Sequence, residues 1–150
     1  MNIVSLLARW ILGAAFVYMG LSKALNPVDF LKLVQQYGIV ENFLLLNAIA
    51  VILPWFEVFC GFLLLAGFAV RGTALVLIMM LVAFTWLVFD RALELATIKN
   101  IPFCLVKFDC GCGGGEVVIC YKLIENSCLI LLSACLLVSH SKPMRERQNI

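Results

Sequence analysis

The sequence predicts an all-α integral membrane protein, a four-transmembrane-helix bundle folded as one domain over residues 1–150. Hydrophobic residues make up 64% of the chain and charged residues only 13%. An average soluble domain is roughly half apolar and about a quarter charged, so a soluble chain of this length could not bury so much apolar surface. Four apolar runs, over about residues 3–22, 43–68, 73–89 and 117–140, are each near the ~20 residues that cross a bilayer.

The first run is predicted to be a retained helix. A cleaved signal peptide is the competing interpretation, but the basic region before the run is weak. The residues that follow it, Ser22-Lys23-Ala24, make a poor cleavage site. After the first run, Asn26-Pro27 is a helix start signal. Apolar residues then recur at helical spacing, opposed by polar ones, up to Gly38. This pattern predicts a short interfacial helix lying on the membrane surface.

The second run contains Pro54 and a carboxylate that lies well inside the span, Glu57. A charged group at that depth costs at least ~2.5–3.5 kcal/mol on insertion scales, so it must face a partner or a wet cavity. Two interpretations stay open. Glu57 forms an ion pair with Arg9 or Lys23, or it carries a proton during a redox reaction. Trp55, beside it, is a candidate to line a ligand pocket.

A segment from Arg91 to Glu116 separates the third and fourth runs and holds the most reactive residues of the chain. Cys110 and Cys112 are one residue apart and are followed by three glycines. If the next run is a helix, both thiols lie near its N-terminus, where the helix dipole favours a thiolate. Exchange between thiols and disulfides needs an accessible, ionised sulfur with a second one nearby. The sequence therefore predicts a redox-active pair, with a static disulfide and a soft-metal site as alternatives.

Other cysteines extend this hypothesis. Cys104 shares the segment and Cys120 lies in the first turns of the last run, so either is a candidate internal relay. Cys60 comes three residues after Glu57 and shares a helix face with it. Cys128 and Cys135 are seven residues apart and are expected to be packing residues. The spacing of the cysteines matches no zinc template, so we predict no metal.

The positive-inside rule places both termini in the cytoplasm, because Arg71 and the C-terminal tail carry basic residues. The cysteine-bearing segment is then extracytoplasmic and in an oxidising compartment, where disulfides persist. A net charge of +2, with no basic run before the C-terminus, makes the lipid bilayer the expected partner and excludes nucleic acid.

Two patterns resemble the DoxX-like membrane proteins: Arg9, Gly13, Phe16, Gly20, Lys23 and Pro54, Glu57, Gly61, Leu64, Gly67, Arg71. The sequence Cys110-Gly-Cys112-Gly-Gly, with Asn126 in the following helix, resembles the MauE branch. The likeness covers nearly the whole chain. One departure is Gly113-Gly114-Gly115, since an aromatic residue often follows the second cysteine in that branch.

The resemblance implies a protein of the bacterial inner (cytoplasmic) membrane that works beside a periplasmic thioredoxin-like partner. Sulfur-oxidising relatives form part of a thiosulfate:quinone oxidoreductase. It therefore implies electron transfer between a thioredoxin-fold protein and the quinone pool, with a redox-active disulfide in Cys110 and Cys112. Cys104 and Cys120 are not part of the family pattern, and their relay role rests on their position in the chain. The candidate quinone-binding residues are Glu57, Trp55 and Cys60.

Two other functions stay open: a non-catalytic subunit or assembly factor for a redox complex, and a carrier of soft metal or sulfur compounds. The substrate, the direction of electron flow and the formation of a homo-oligomer are left open by the sequence.

Overall fold

A computed structural model describes residues 3–38, 42–109 and 116–139. Its helices are α1 (Ile3–Leu25), α2 (Pro27–Gln36), α3 (Phe43–Ala66), α4 (Val70–Lys99) and α5 (Ile119–Ser139). A 3₁₀ turn (Phe103–Leu105) and two short strands, β1 (Lys107–Asp109) and β2 (Glu116–Val118), lie between α4 and α5. By length and composition, α1, α3, α4 and α5 can each cross a membrane. The predicted fold class is therefore confirmed.

The bundle is built from two helix pairs. Helix α1 packs along α3, and α4 packs along α5, while the pairs meet mainly through α1 and α5. Residues from the start of α1 and α4 and the end of α3 and α5 share one core cluster, which includes Ala8, Leu64, Val70 and Leu136. We call this end of the bundle, where α1 begins and α5 ends, the terminal end. At the other end, a second cluster contains Val88, Ala92, Val106 and Ile119, and we call this the disulfide end.

Glycines allow α1 and α3 to touch backbone to backbone. A Cβ atom added at Gly61 would lie 2.8 Å from the carbonyl oxygen of Gly13, and one added at Gly20 would lie 2.7 Å from that of Pro54. Small residues at helix crossings are a common way to bring membrane helices together. The α1–α3 pair is therefore the closest-packed part of the bundle, and α3 continues as a helix through Pro54.

Helix α4 is longer than the apolar run that predicts the third span. The acidic and basic residues after Phe89 do not end the helix, since α4 runs on to Lys99 and stops at Asn100, which has a left-handed conformation. Arg91 and Glu94 form an ion pair one turn apart, a pairing that supports an exposed helix. The polar residues therefore mark where the helix leaves the apolar environment and not where it ends.

The apolar run that predicts the last span begins with a strand. Val117 and Val118 form strand β2, which pairs with β1 in antiparallel register, Lys107 opposite Val118 and Asp109 opposite Glu116. Helix α5 begins at Ile119. β-branched residues fit a pleated strand better than a first helical turn, so this apolar run divides into a strand and a helix.

The short helix α2 forms where the sequence predicts it. Its apolar side chains Phe30 and Val34 pack against Leu46 and Ala50 of α3. This face therefore covers the first turns of α3, and the position of α2 on the membrane surface stays a prediction.

Candidate functional site

Cys104 and Cys120 form a disulfide at the disulfide end of the bundle, with their Cα atoms 5.2 Å apart. The sequence left open which of the two serves as a relay, and the structure joins them to each other. Cys104 lies in the 3₁₀ turn and is exposed, whereas Cys120 is the second residue of α5 and is partly buried. The two cysteines of the disulfide therefore differ in their exposure.

Local backbone contacts hold this disulfide against the bundle. The amide of Ile119 donates to the carbonyl oxygen of Val106 at 3.1 Å, and both side chains are almost fully buried. The ring of Phe103 lies 5.5 Å from that of Phe89 on α4. The turn that carries Cys104 is thus anchored to α4 on one side and α5 on the other.

Cys110 and Cys112 lie outside the described residues, so their pairing stays a prediction. The structure does place the two ends of their segment side by side, because Asp109 and Glu116 are register partners. Strand β2 lies between this segment and α5, and the predicted place of the two thiols, at or just before the helix N-terminus, stays a prediction. Within the described ranges, no group of three or more metal-ligating side chains is present, and a disulfide offers no thiolate ligands from Cys104 and Cys120.

A buried ion pair lies deeper in the bundle. Lys23 Nζ donates to both carboxylate oxygens of Glu57 at 2.7 Å, and the two side chains are 6% and 10% exposed. The predicted ion pair of Glu57 is confirmed, and its partner is Lys23 and not Arg9. The ammonium also lies 5.5 Å from the ring centre of Phe30 and 5.7 Å from that of Phe84, within cation–π range.

This ion pair forms part of the wall of a cavity of about 200 Å³ between the two helix pairs. Asn126 of α5 also lines the cavity, and its side-chain amide donates to Thr85 Oγ1 of α4 at 3.1 Å. The other lining residues are apolar: Phe16, Met19, Leu53, Met80, Leu81, Ala83, Phe84 and Leu87. A concave, mostly apolar site with a few convergent polar groups is typical of ligand-binding pockets.

Phe84 connects the cavity with the disulfide end. Its ring lines the cavity and faces the Lys23 ammonium. It also packs against the core cluster of the disulfide end, which Cys120 contacts too. Along α5, six residues separate Cys120 from Asn126, a rise of about 9 Å. The disulfide and the cavity are therefore neighbouring parts of one region.

Of the three predicted quinone-binding residues, only Glu57 lines this cavity. Trp55 is 58% exposed on α3, and Cys60 is buried in the core of the terminal end. Sequence reasoning missed Phe84 and Ala83, because single apolar residues in an apolar run carry no signal.

Two further cysteines are placed differently from the prediction. Cys128 and Cys135 were expected to pack inside the bundle, but both are exposed on the outer face of α5. Since the seven-residue spacing defines a face without saying which way it points, the sequence could not decide this.

A family model described as "Methylamine utilisation protein MauE" matches residues 1–139, which include all four spanning helices and the cysteine segment. The chain belongs to the MauE family. No curated protein and no solved structure matches it. Membership of this family agrees with the resemblance in the cysteine segment and supports a redox-associated role in a membrane.

Proposed function

We propose that this MauE-family protein is a membrane thiol–disulfide oxidoreductase that passes electrons between a periplasmic thioredoxin-like partner and the quinone pool. The observation that carries the proposal is the asymmetric disulfide, in which exposed Cys104 is bonded to partly buried Cys120. It lies at the end of the bundle from which the Cys110–Cys112 segment extends. Two pairs of sulfurs, one outer and one inner, are what a relay requires.

The outer step is an exchange with the partner. A thiolate of the reduced partner attacks the Cys110–Cys112 disulfide and forms a mixed disulfide. The partner's second thiolate then displaces it. The partner leaves with a disulfide, and Cys110 and Cys112 are left as two thiols that hold the two electrons.

The inner step repeats this chemistry within the chain. A thiolate of the outer pair attacks Cys104, because it is the more exposed residue of the pair, and Cys120 leaves as a thiolate. The remaining outer thiol closes the Cys110–Cys112 disulfide and releases Cys104. The thiols of Cys104 and Cys120 then give two electrons and two protons to a quinone, which re-forms their disulfide and yields a quinol.

Thiol trapping in intact cells tests this proposal. A membrane-impermeant maleimide with a mass tag is added before and after reduction, with quinone-reducing and quinone-oxidising growth conditions compared. We expect Cys104 to label only after reduction, and the fraction oxidised to follow the quinone pool. Cys104→Ser and Cys120→Ser should block reoxidation of Cys110 and Cys112, and Cys128→Ser serves as the control because Cys128 is exposed and unbonded.

A second candidate function, a non-catalytic membrane subunit, is favoured by one observation. The Cys104–Cys120 bond closes a loop with a sequence separation of 16 residues, and it pins the turn and hairpin onto α5 as a structural disulfide would. Normal cellular function in both Cys104→Ser and Cys120→Ser, together with the loss of stability expected for a structural disulfide, would support this role and exclude the relay.

A further inference from the structure

The cavity wall contains hydrogen-bonding groups that the protein does not use. Glu57 accepts from Lys23 through both oxygens, which occupies two of the three ammonium hydrogens. Across the described ranges, no other oxygen accepts from Lys23, and Asn126 makes no side-chain bond beyond its donation to Thr85. One ammonium hydrogen, one amide hydrogen and the amide oxygen are therefore left for an occupant.

We propose that this cavity binds the head ring of a lipid-soluble quinone, with a ring carbonyl accepting hydrogen bonds from Lys23 and Asn126. The inference rests on the proposed function for the origin of the electrons, whereas ring binding itself does not depend on it. The surrounding side chains, among them Phe16, Leu53 and Phe84, present apolar surface to the faces of the ring.

The size of the cavity fits a ring and not a whole lipid. About 200 Å³ is less than the ~300–1,000 Å³ of pockets that enclose a drug-sized molecule. Ala83, on its rim, is exposed on a helix that can span the membrane. Because Ala83 is both exposed and part of the cavity lining, the ring would enter beside its small side chain while the isoprenoid tail stays in the bilayer.

The charged wall distinguishes a quinone from an acyl chain. Burying a charge away from water is costly even when the charge is paired. An acyl chain would offer Lys23 and Asn126 no hydrogen-bond acceptor. A carbonyl oxygen satisfies both donors, and the hydroxyl of the reduced ring can donate to the Glu57 carboxylate or the Asn126 amide oxygen. The same wall therefore accommodates both redox forms of the ring.

The test uses the full chain, oxidised and purified in detergent, with a ubiquinone that carries one isoprene unit. Binding is measured by isothermal titration calorimetry. Ala83→Phe should close the rim and weaken binding at least tenfold. Ala14→Phe, a matched change at an exposed alanine of α1 that does not line the cavity, should leave binding unchanged. Asn126→Leu should weaken binding about fivefold to tenfold, the usual effect of one lost hydrogen bond.

Equal binding by Ala83→Phe and Ala14→Phe would overturn the proposal. The proposal would also be overturned if a saturated single-chain amphiphile displaced the ubiquinone as strongly from Asn126→Leu as from the unmodified protein. The cavity would then hold an acyl chain. The double variant Cys104→Ser, Cys120→Ser should bind the ring normally. Ring binding without thiol turnover would refute the proposed function alone, and turnover without ring binding would refute this site alone.

Discussion

Removing one partner of the Lys23–Glu57 pair should destabilise the protein more than any other single change of charge in the described residues. At 2.7 Å, two unit charges attract each other by about 6 kcal/mol for an effective dielectric constant of ~20. Part of this offsets the cost of desolvating them. Breaking a buried pair by removing one partner typically costs about 3–5 kcal/mol, because the other charge is left unpaired. We expect a loss of that size for Glu57→Gln.

The assay is unfolding of the purified protein by titration with sodium dodecyl sulfate in mixed micelles, followed by circular dichroism. The double variant Lys23→Met, Glu57→Met should recover most of the loss, since neither charge is then buried. The exposed pair Lys32–Asp29, with side chains 66% and 73% exposed, is the control, and Asp29→Asn should cost no more than about 1 kcal/mol. Equal effects of Glu57→Gln and Asp29→Asn would refute the reasoning.

Three further outcomes are expected in the same assay. Gly61→Ala should cost about 1–3 kcal/mol, because its methyl group would overlap the backbone of α1, whereas a Cβ at Gly72 meets nothing within 4 Å and Gly72→Ala should be neutral. Cys120→Ser should lower stability by about 3 kcal/mol through loss of the loop constraint, an effect that a reductant reproduces in the unmodified protein and that Cys128→Ser lacks. Thr85→Val should cost about 1–3 kcal/mol, because it leaves the buried side-chain amide of Asn126 on α5 without its acceptor.

The helices could be predicted because the length of an apolar run can be read directly along the sequence. The ion pair of Glu57 was also predictable, since a carboxylate inside a span must be neutralised. The choice of Lys23 over Arg9 was not, because it depends on how α1 crosses α3 at the Gly13, Gly20 and Gly61 contacts.

The candidate site shows the same limit. Cys104 and Cys120 could each be identified as candidates, but their bond depends on the 3₁₀ turn that brings them together. The cavity depends on the space left between two helix pairs, and this space cannot be inferred from any single stretch of the sequence. Exposed Trp55 and buried Cys60 were chosen for their nearness to Glu57 along the chain, although neither of them lines the cavity.

The unequal lengths of α4 and α5 have a consequence for how a partner can approach. A helix of 30 residues is about 45 Å long and one of 21 residues about 32 Å, so α4 is the longer helix of this pair. Leu95 and Ala96, in its last turns, pack against the cluster that supports the turn and hairpin. The turn that carries Cys104 is thus covered by helix on that side. A partner that docked at Cys104 would have to approach from a side that α4 leaves open.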